Sequence, residues 1–213
     1  MRCHSRNATL LLFYVACSVV TRGAEYTVKD ATGALVADAV LWLERLDGPA
    51  TAPTAPPEPV AIVQADEEFR PAVTVVAVGT RVEFPNRDKV QHHIYSLSKA
   101  KRFEFPLYRP GTTETIVCDQ PGVIVLGCNI HDWMAAYVVV VPTPYFARTD
   151  ATGRAQLAAP AGRYRLEVWH ARLAAALVRE VTVDAGGAVT DLTIALKPER
   201  KVRRAPAGRA GGY

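Results

Sequence analysis

The segment Gly127-Cys128-Asn129-Ile130-His131-Asp132-Trp133-Met134 decides how the rest of the chain is interpreted. It carries a thiol, an imidazole and a thioether at the spacing Cys-x2-His-x2-Met. The apolar run Val123-Ile124-Val125-Leu126 comes just before it and is short and β-branched, as buried strands are. The sequence therefore predicts a strand that ends in a tight loop, where Cys128, His131 and Met134 are offered to a metal ion.

The ligand types in this loop favour copper over other metals. A thiolate and two imidazoles in a trigonal plane, with a weak axial thioether, make a blue-copper electron-transfer site. Zinc is the alternative, with Asp132 as a candidate ligand, but zinc prefers His, Cys and carboxylate to a thioether. Covalent haem attachment is not predicted, because Cys-x-x-Cys-His does not occur in the sequence. The loop contains one His, so a copper site needs a second one from elsewhere.

The second imidazole is predicted to come from the tandem pair His92-His93. An alternating strand ends at Pro85-Asn86, a loop follows, and His92 begins the next strand. Together with Pro121-Gly122 and the Cys-x2-His-x2-Met loop, in that order, this pattern resembles the cupredoxins, with the short loop spacing of amicyanin. The longer phrases also resemble periplasmic proteins that are labelled methylamine utilization proteins. The resemblance covers about residues 60–146.

The resemblance implies a first set of residues that would hold one type 1 copper ion and a second set around them. The implied ligands are His92, Cys128, His131 and Met134, and the implied neighbours of the ligands are His93, Asn86 and Asn129. Many cupredoxins carry an Asn after the first His ligand, which ties the two ligand segments together by hydrogen bonds, and His93 stands at that place. The alternative, in which His93 is the ligand, stays open.

The same resemblance implies a role for the surface around His131. In cupredoxins the His of this loop reaches the surface through an apolar patch, so His131 is predicted to be the point where electrons enter and leave. Ile130 and Trp133 would flank it as a contact surface for redox partner proteins that bind transiently. Trp133 is equally well interpreted as a core residue.

Composition and charge limit the other function classes. The 213-residue chain is 49% hydrophobic, which is enough for a sizeable core, and its 14 Gly and 15 Pro favour β-structure over long helices. Residues 1–24 carry +3 and residues 198–213 carry +4, which leaves residues 25–197 at −3 of the net +4. Nucleic-acid binding therefore has no support in the folded part. Phosphate-binding loops and hydrolase nucleophile motifs are absent from the sequence, so no enzyme activity is predicted.

The first 24 residues resemble a secretory signal peptide. A basic start is followed by an apolar run, 8–20, that is too short to span a bilayer. Cleavage near Gly23-Ala24 would give a periplasmic protein with no stable membrane span. Cleavage after Ser18, a lipoprotein site at Cys17 and an uncleaved anchor are the alternatives.

Removal of this leader leaves two cysteines, Cys118 and Cys128. They could pair in an oxidising compartment, and such a disulfide would exclude the copper site. Cys118 stands where cupredoxins carry an apolar core residue, so it is interpreted as a small buried hydrophobic side chain.

The fold is predicted to be all-β, with a Greek-key cupredoxin sandwich of seven or eight short strands over residues 60–146. Within it, 98–110 is predicted to be an irregular loop region. A second resemblance, to the carboxypeptidase regulatory-like, transthyretin-like sandwich, is divided between two parts of the chain. It rests on Val28-x-Asp30-x-x-Gly33…Asp38-Ala39-Val40 and on Thr149-Asp150-x-x-Gly153…Pro160-Ala161-Gly162-x-Tyr164-x-Leu166.

The favoured domain arrangement is therefore a discontinuous sandwich, 25–47 plus 147–197, with the cupredoxin domain inserted at a loop. The alternative is an extra strand pair on the cupredoxin domain and a separate C-terminal domain. A Pro-rich linker at 48–59 and a basic tail at 198–213 are predicted to lie outside both cores.

The sequence as a whole predicts a periplasmic type 1 copper protein that carries single electrons between redox partners. Two other functions stay open. One is a copper-binding accessory or delivery protein, and the other is a structural β protein with a metal-free cupredoxin domain.

Overall fold

A computed structural model of the chain describes residues 23–53, 56, 58–184 and 189–199. Residues 1–22 of the predicted signal peptide and 200–213 of the predicted tail lie outside the described residues, as do 54, 55 and 57 of the predicted linker. Every regular element in the described ranges is a β-strand, so the all-β prediction is confirmed. Across these same ranges, no helix has the length and apolar character needed to cross a membrane.

The described part of the chain forms seventeen strands in five sheets. In chain order they are β1 (Ala24–Asp30), β2 (Val40–Arg45), β3 (Val60–Ala61), β4 (Val63–Ala65), β5 (Glu68–Arg70), β6 (Val73–Ala77), β7 (Arg81–Pro85), β8 (His92–Ser98), β9 (Lys101–Tyr108), β10 (Thr113–Val117), β11 (Gly122–Cys128), β12 (Ala135–Val141), β13 (Phe146–Arg148), β14 (Arg154–Leu157), β15 (Gly162–Trp169), β16 (Leu177–Val183) and β17 (Val189–Ile194). Ten of them, β3 to β12, lie between residues 60 and 141, more than the predicted seven or eight, because β3, β4 and β5 are only two or three residues long.

The strands between residues 60 and 141 form a two-sheet sandwich that carries the predicted ligands. One sheet has the strand order β6-β12-β11-β8-β9 and the other has the order β10-β7-β3, while β4 and β5 pair as a hairpin. Phe84, Ile94 and Leu126 are completely buried in the core of this sandwich. Because β8 and β11 are neighbours in the five-stranded sheet, His92 and Cys128 come from adjacent strands.

Side-chain alternation along β8 separates the two tandem histidines. His92, Ile94 and Ser96 are buried, whereas His93 and Tyr95 are half-buried on the opposite face. Successive side chains of a strand point to opposite faces of its sheet. Only His92 is therefore directed into the core that also contains Cys128.

The prediction of an irregular loop at 98–110 is wrong. Strand β9 occupies Lys101–Tyr108 and pairs with β8. Phe103 and Phe105 pack against the core, with exposed residues between them, which is the alternation of a half-buried strand. Pro106 obscured this pattern in the sequence, but β9 is an edge strand, where proline is tolerated.

Strands from the two ends of the described chain pair with each other in a second sandwich. β1 lies between β14 and β17, and β2 lies between β13 and β15, with β16 at the sheet edge. The N–H of Ala39 donates to Oγ1 of Thr149 at 2.9 Å and joins the two halves. These pairings are the ones that a discontinuous sandwich requires, while the domain bounds 25–47 and 147–197 stay a prediction.

Strand β12, which follows the ligand loop, contributes to the packing on both of its faces. Val138 belongs to the core of the first sandwich. Val139 packs on the other side against Val40 of the second sandwich. The rings of Tyr137 and Trp169 extend this contact, with centroids 5.4 Å apart. The segment after the loop is therefore held between two apolar layers.

Replacement of Phe84 by alanine is expected to lower the free energy of unfolding by about 3–5 kcal/mol, because a completely buried ring leaves a cavity. Phe84 also stacks on Phe103 at 5.9 Å between centroids. Denaturant unfolding measures the change. Leu107→Ala is the control, since Leu107 is 52% exposed, and its effect is expected to stay within about 0.5 kcal/mol. Equal effects of the two substitutions would contradict the assigned core.

Candidate metal centre

Three of the four predicted ligands lie together at one end of the first sandwich. Nδ1 of His92 lies 3.8 Å from Sγ of Cys128, and Nδ1 of His131 lies 3.6 Å from the same sulfur. One ligand atom from each residue lies within 4.8 Å of the other two. Among the described residues, this is the one group of three or more His, Cys, Asp or Glu side chains with such convergence. These three side chains form a cluster that can hold a metal ion.

Two strands and one loop create this convergence. Cys128 ends β11 and is directly opposite Ile94 of β8, which places His92 close to its sulfur. The chain then turns, and the N–H of Met134 donates to the carbonyl oxygen of His131 at 2.9 Å. This hydrogen bond closes the loop and returns the chain to β12, so His131 faces back toward Cys128.

Met134, the fourth predicted ligand, is only 2% exposed and is a buried residue of the same core cluster as Cys128. Both residues also line one shallow depression formed by β8, β11 and the loop before β12. A thioether and a thiol buried in the same core cluster agree with what the Cys-x2-His-x2-Met spacing predicts.

The Cys128 sulfur is placed to be a thiolate. Burial alone would raise the pKa of the Cys128 thiol, but the contact of its sulfur with His92, the hydrogen bonds from the backbone N–H groups of His93 and Ile130, and the contact with His131 lower that pKa to about 6. The described residues contain no disulfide, and both Cys118 and Cys128 are free and buried. The disulfide between Cys118 and Cys128, which the sequence leaves open as an alternative to the copper site, is therefore not formed in the structure.

In the metal-free protein, Cys128 is expected to titrate near pH 6, and Cys118, whose pKa is raised by burial, near pH 11. An acid with a lowered pKa is charged above that pKa, so Cys128 should be a thiolate at neutral pH and lose its charge as the pH falls through about 6. Ultraviolet thiolate absorbance measures both steps, and Cys128→Ser and Cys118→Ser assign them. A Cys128 step at the ordinary thiol value would contradict this electrostatic environment.

A carboxylate that the sequence does not predict, that of Asp88, contacts the ring nitrogen of His92 that does not face Cys128. Nε2 of His92 lies 2.8 Å from Oδ2 of Asp88, and the His92 side chain is completely buried. Burial favours the neutral imidazole, but the contacts with Cys128 and Asp88 outweigh it and raise the pKa of His92. A carboxylate accepts hydrogen bonds and does not donate them, so the proton belongs on Nε2 and the Nδ1 lone pair is free to face the sulfur.

His93 occupies the opposite face and makes a different contact. Its Nε2 lies 2.8 Å from Oε1 of Glu104 on β9, and its buried Nδ1 has no hydrogen-bond partner. The imidazole thus does not join the two ligand segments as the resemblance implies. The backbone of His93 does reach the site, because its N–H donates to the Cys128 sulfur.

The two predicted asparagines differ in their surroundings. Asn86 is 1% exposed and holds the loop before His92, since its Nδ2 donates to the carbonyl oxygens of Val90 at 2.9 Å and Tyr108 at 3.3 Å. Its Oδ1 also accepts the N–H of Asp88 at 3.0 Å. Asn129 is exposed and lines a shallow surface depression next to His93.

The predicted partner surface contains one exposed and one half-buried residue. Ile130 is 48% exposed. Trp133 packs against the core and donates from Nε1 to the carbonyl oxygen of Glu67 at 3.1 Å. The His131 ring lies between two others, with centroids 5.0 Å from His92 and 5.2 Å from Trp133. Trp133 therefore combines a core position with direct contact to His131.

Asp88 and the backbone of Glu67 are the contacts at this site that the sequence did not predict. Asp88 precedes His92 by four residues in an Asn-x-Asp loop, and turn chemistry explains that pattern as well as a contact to histidine does. Glu67 belongs to an acidic run, Asp66-Glu67-Glu68, whose composition a solvated turn explains equally well. A contact through a backbone carbonyl does not depend on the type of the residue, so the sequence contains no signal for it.

Comparisons with known proteins give only limited likenesses. No protein-family model matches the chain, and no curated protein does either. Among solved structures, a copper-containing nitrite reductase from Thermus scotoductus SA-01 is 26% identical with a TM-score of 0.39, and the match covers 45% of this chain and 24% of that one. A purple cupredoxin from Nitrosopumilus maritimus is 26% identical with a TM-score of 0.35, covering 38% of this chain and 99% of that one. A reduced mutant form of amicyanin is 18% identical with a TM-score of 0.38, covering 41% of this chain and 86% of that one.

Proposed function

We propose that this chain is a type 1 copper protein that carries single electrons between redox partner proteins and is not an enzyme. The observation that carries the proposal is the convergence of two imidazole Nδ1 atoms on one thiol sulfur, at 3.8 and 3.6 Å. The Cys-x2-His-x2-Met loop also supplies a buried thioether, that of Met134, in the same core cluster as Cys128. Copper bound there would supply reversible one-electron exchange between its two oxidation states.

The donor set fits copper better than zinc. The cluster comprises one thiol and two imidazoles, with no carboxylate among the groups that converge. The Asp88 carboxylate, which contacts the cluster through His92, is already bonded to Nε2 of that residue and to two backbone N–H groups. Asp132 of the loop is exposed. Zinc sites are usually completed by His, Cys or carboxylate, whereas a thioether beside a thiolate favours copper.

The surrounding protein keeps water out and restricts ligand motion. His92, Cys128 and Met134 are 0%, 4% and 2% exposed. Close-packed protein interiors change shape little, so the positions of these buried side chains should differ little between the two redox states. Small rearrangement favours fast electron exchange, and this is the main contribution of the fold to the proposed function.

We place the exchange of electrons with partners at His131. Its ring is the least buried of the three clustered side chains, and Ile130 beside it is 48% exposed. A small apolar patch fits partners that bind briefly and leave, because transient interfaces are small. The partners would be redox proteins of the periplasm, the compartment proposed from the signal-like residues 1–24.

Voltammetry of the copper-loaded protein tests the carrier function. We expect a reversible one-electron wave with copper retained through repeated cycles. Copper that moves readily to a competing chelator in either oxidation state would instead support an accessory or delivery protein. A protein that stays metal-free in excess copper would overturn both and leave a structural β protein.

A further inference from the structure

The hairpin β4–β5 turns next to the metal centre in an unusual conformation. Its two turn residues, Asp66 and Glu67, have φ angles of 55° and 56°. A two-residue hairpin with both central φ angles positive is a type I′ turn, for which Asn-Gly is the usual sequence. Asp tolerates that region as Asn does, but Glu is uncommon there, and Glu67 stands at the position where Gly is usual. Stabilisation of Glu67 by groups outside the hairpin is therefore expected.

One carboxylate, that of Asp88, supplies this stabilisation. Its Oδ1 accepts the N–H of Asp66 at 2.8 Å, and its Oδ2 accepts the N–H of Glu67 at 2.8 Å. The same Oδ2 lies 2.8 Å from Nε2 of His92. Burial opposes its charge, but the hydrogen bonds from Glu67 and His92 hold the pKa of Asp88 below its usual range. Asp88 thus links both turn N–H groups to the first imidazole.

The second imidazole is linked to the same turn from the other side. Trp133 donates from Nε1 to the carbonyl oxygen of Glu67 at 3.1 Å, and its ring packs on His131 with centroids 5.2 Å apart. The N–H of Glu67 is therefore connected to His92 through the Asp88 carboxylate, and its C=O is connected to His131 through Trp133. These two contacts use the backbone of one residue and leave its side chain uninvolved.

Buried side chains and a backbone hydrogen bond fix the position of the β4–β5 hairpin relative to the metal centre. Phe69 and Gln64 are 3% and 0% exposed. The carbonyl oxygen of Gln64 accepts the N–H of Arg87 at 2.9 Å, which joins the hairpin to the loop that contains Asp88. The side chain of Asp66 turns away to Arg70, at 2.9 Å. The turn is thus a rigid element with its backbone facing the site.

We propose that the Asp66–Glu67 turn is a clamp that fixes both ligand imidazoles, with Asp88 and Trp133 as the positioning residues for His92 and His131. This inference rests on the proposed function in treating the two imidazoles as metal ligands. The inference predicts that copper affinity depends on the backbone N–H and C=O groups of the turn and not on the side chains of Asp66 and Glu67. Asp66→Asn/Glu67→Gly should therefore keep copper affinity within about twofold, because it retains the backbone groups and favours the turn type.

Loss of Asp88 should weaken copper binding far more than loss of an equivalent contact elsewhere. We expect Asp88→Asn to lower copper affinity about 10- to 100-fold, the usual cost of removing the outer partner of a ligating His. Glu104→Gln is the matched control, since it removes a His–carboxylate contact of the same 2.8 Å length from the outward-facing His93. Chelator competition measures both affinities. Equal losses in the two variants would overturn the clamp.

A measurement on the metal-free protein tests the clamp independently of the proposed function. Nitrogen NMR of the metal-free wild type, recorded at a pH where His92 is neutral, should show its proton on Nε2, and Asp88→Asn should raise the share of the Nδ1–H form. An unchanged tautomer would overturn the clamp, whatever metal binds. A wild type with the expected tautomer but no copper–sulfur band would overturn the proposed function alone.

A double variant tests whether the two links share one turn. Trp133→Phe keeps an aromatic ring but removes the N–H donor to Glu67, and Trp169→Phe at the contact between the sandwiches is its control. If both links act through Glu67, the affinity loss of Asp88→Asn/Trp133→Phe should be smaller than the product of the single losses. A loss equal to that product would show independent contacts and overturn the shared clamp.

Discussion

Replacement of Cys128 by serine is expected to abolish the visible absorption of the copper-loaded protein. That band arises from charge transfer between thiolate and copper, and Cys128 is the one sulfur of the described chain with two imidazole nitrogens within 4 Å. A hydroxyl is close in size but is a poor ligand for copper. The fall in affinity should exceed the roughly 10- to 100-fold cost of losing an outer hydrogen-bond partner. Absorption spectroscopy and chelator competition measure the two effects.

Cys118→Ser is the matched control for this substitution. Cys118 is also buried and free, but its pKa is raised to about 11, so it is a neutral thiol at ordinary pH. The control should retain the full visible band. If Cys128→Ser kept the band, the proposed ligand set would be wrong.

Substitution of His92 by glutamine is expected to remove the type 1 spectrum, whereas His93→Gln should leave it in place. The reason is the opposite orientation of two adjacent side chains. His92 is completely buried with Nδ1 3.8 Å from the Cys128 sulfur, and His93 is bonded to Glu104 on the other face of the sheet. Electron paramagnetic resonance of the two copper-loaded variants distinguishes them.

The two substitutions have the same chemistry and adjacent positions, so each controls for the other. Retention of the type 1 signal in His92→Gln, together with its loss in His93→Gln, would assign the ligand to His93. That result would require β8 to shift by one residue, since each step along a strand moves a side chain to the opposite face.

The ligand loop could be predicted from the sequence because its information is local. Cys128, His131 and Met134 lie within seven residues, and the loop that contains them follows a strand with an unambiguous apolar run. The choice between His92 and His93 needed more than local pattern. In the structure, the alternation of β8 shows that His92 faces the core together with Ile94. The sequence shows that His92 and Ile94 share one face of the strand, but it does not show which face is buried.

The contacts of Asp88 and Trp133 with the two clustered imidazoles could not be predicted, since they depend on tertiary arrangement. Asp88 lies 22 positions after Asp66, and Trp133 lies 66 positions after Glu67, yet all four meet beside the site. All three contacts among these residues involve backbone atoms of the turn, which every residue possesses. Strand β9 was missed for a related reason, because Pro106 is incompatible with a central strand and acceptable at an edge.

The most direct test of the copper assignment is a titration of metal-free wild type with copper(II), followed by visible absorption. We predict an intense thiolate-to-copper band that grows linearly and stops at one copper per chain, because His92, Cys128 and His131 form the one such cluster in the described part of the chain. A colourless solution after excess copper, with the Cys128 thiol still free to titrate, would contradict the assignment.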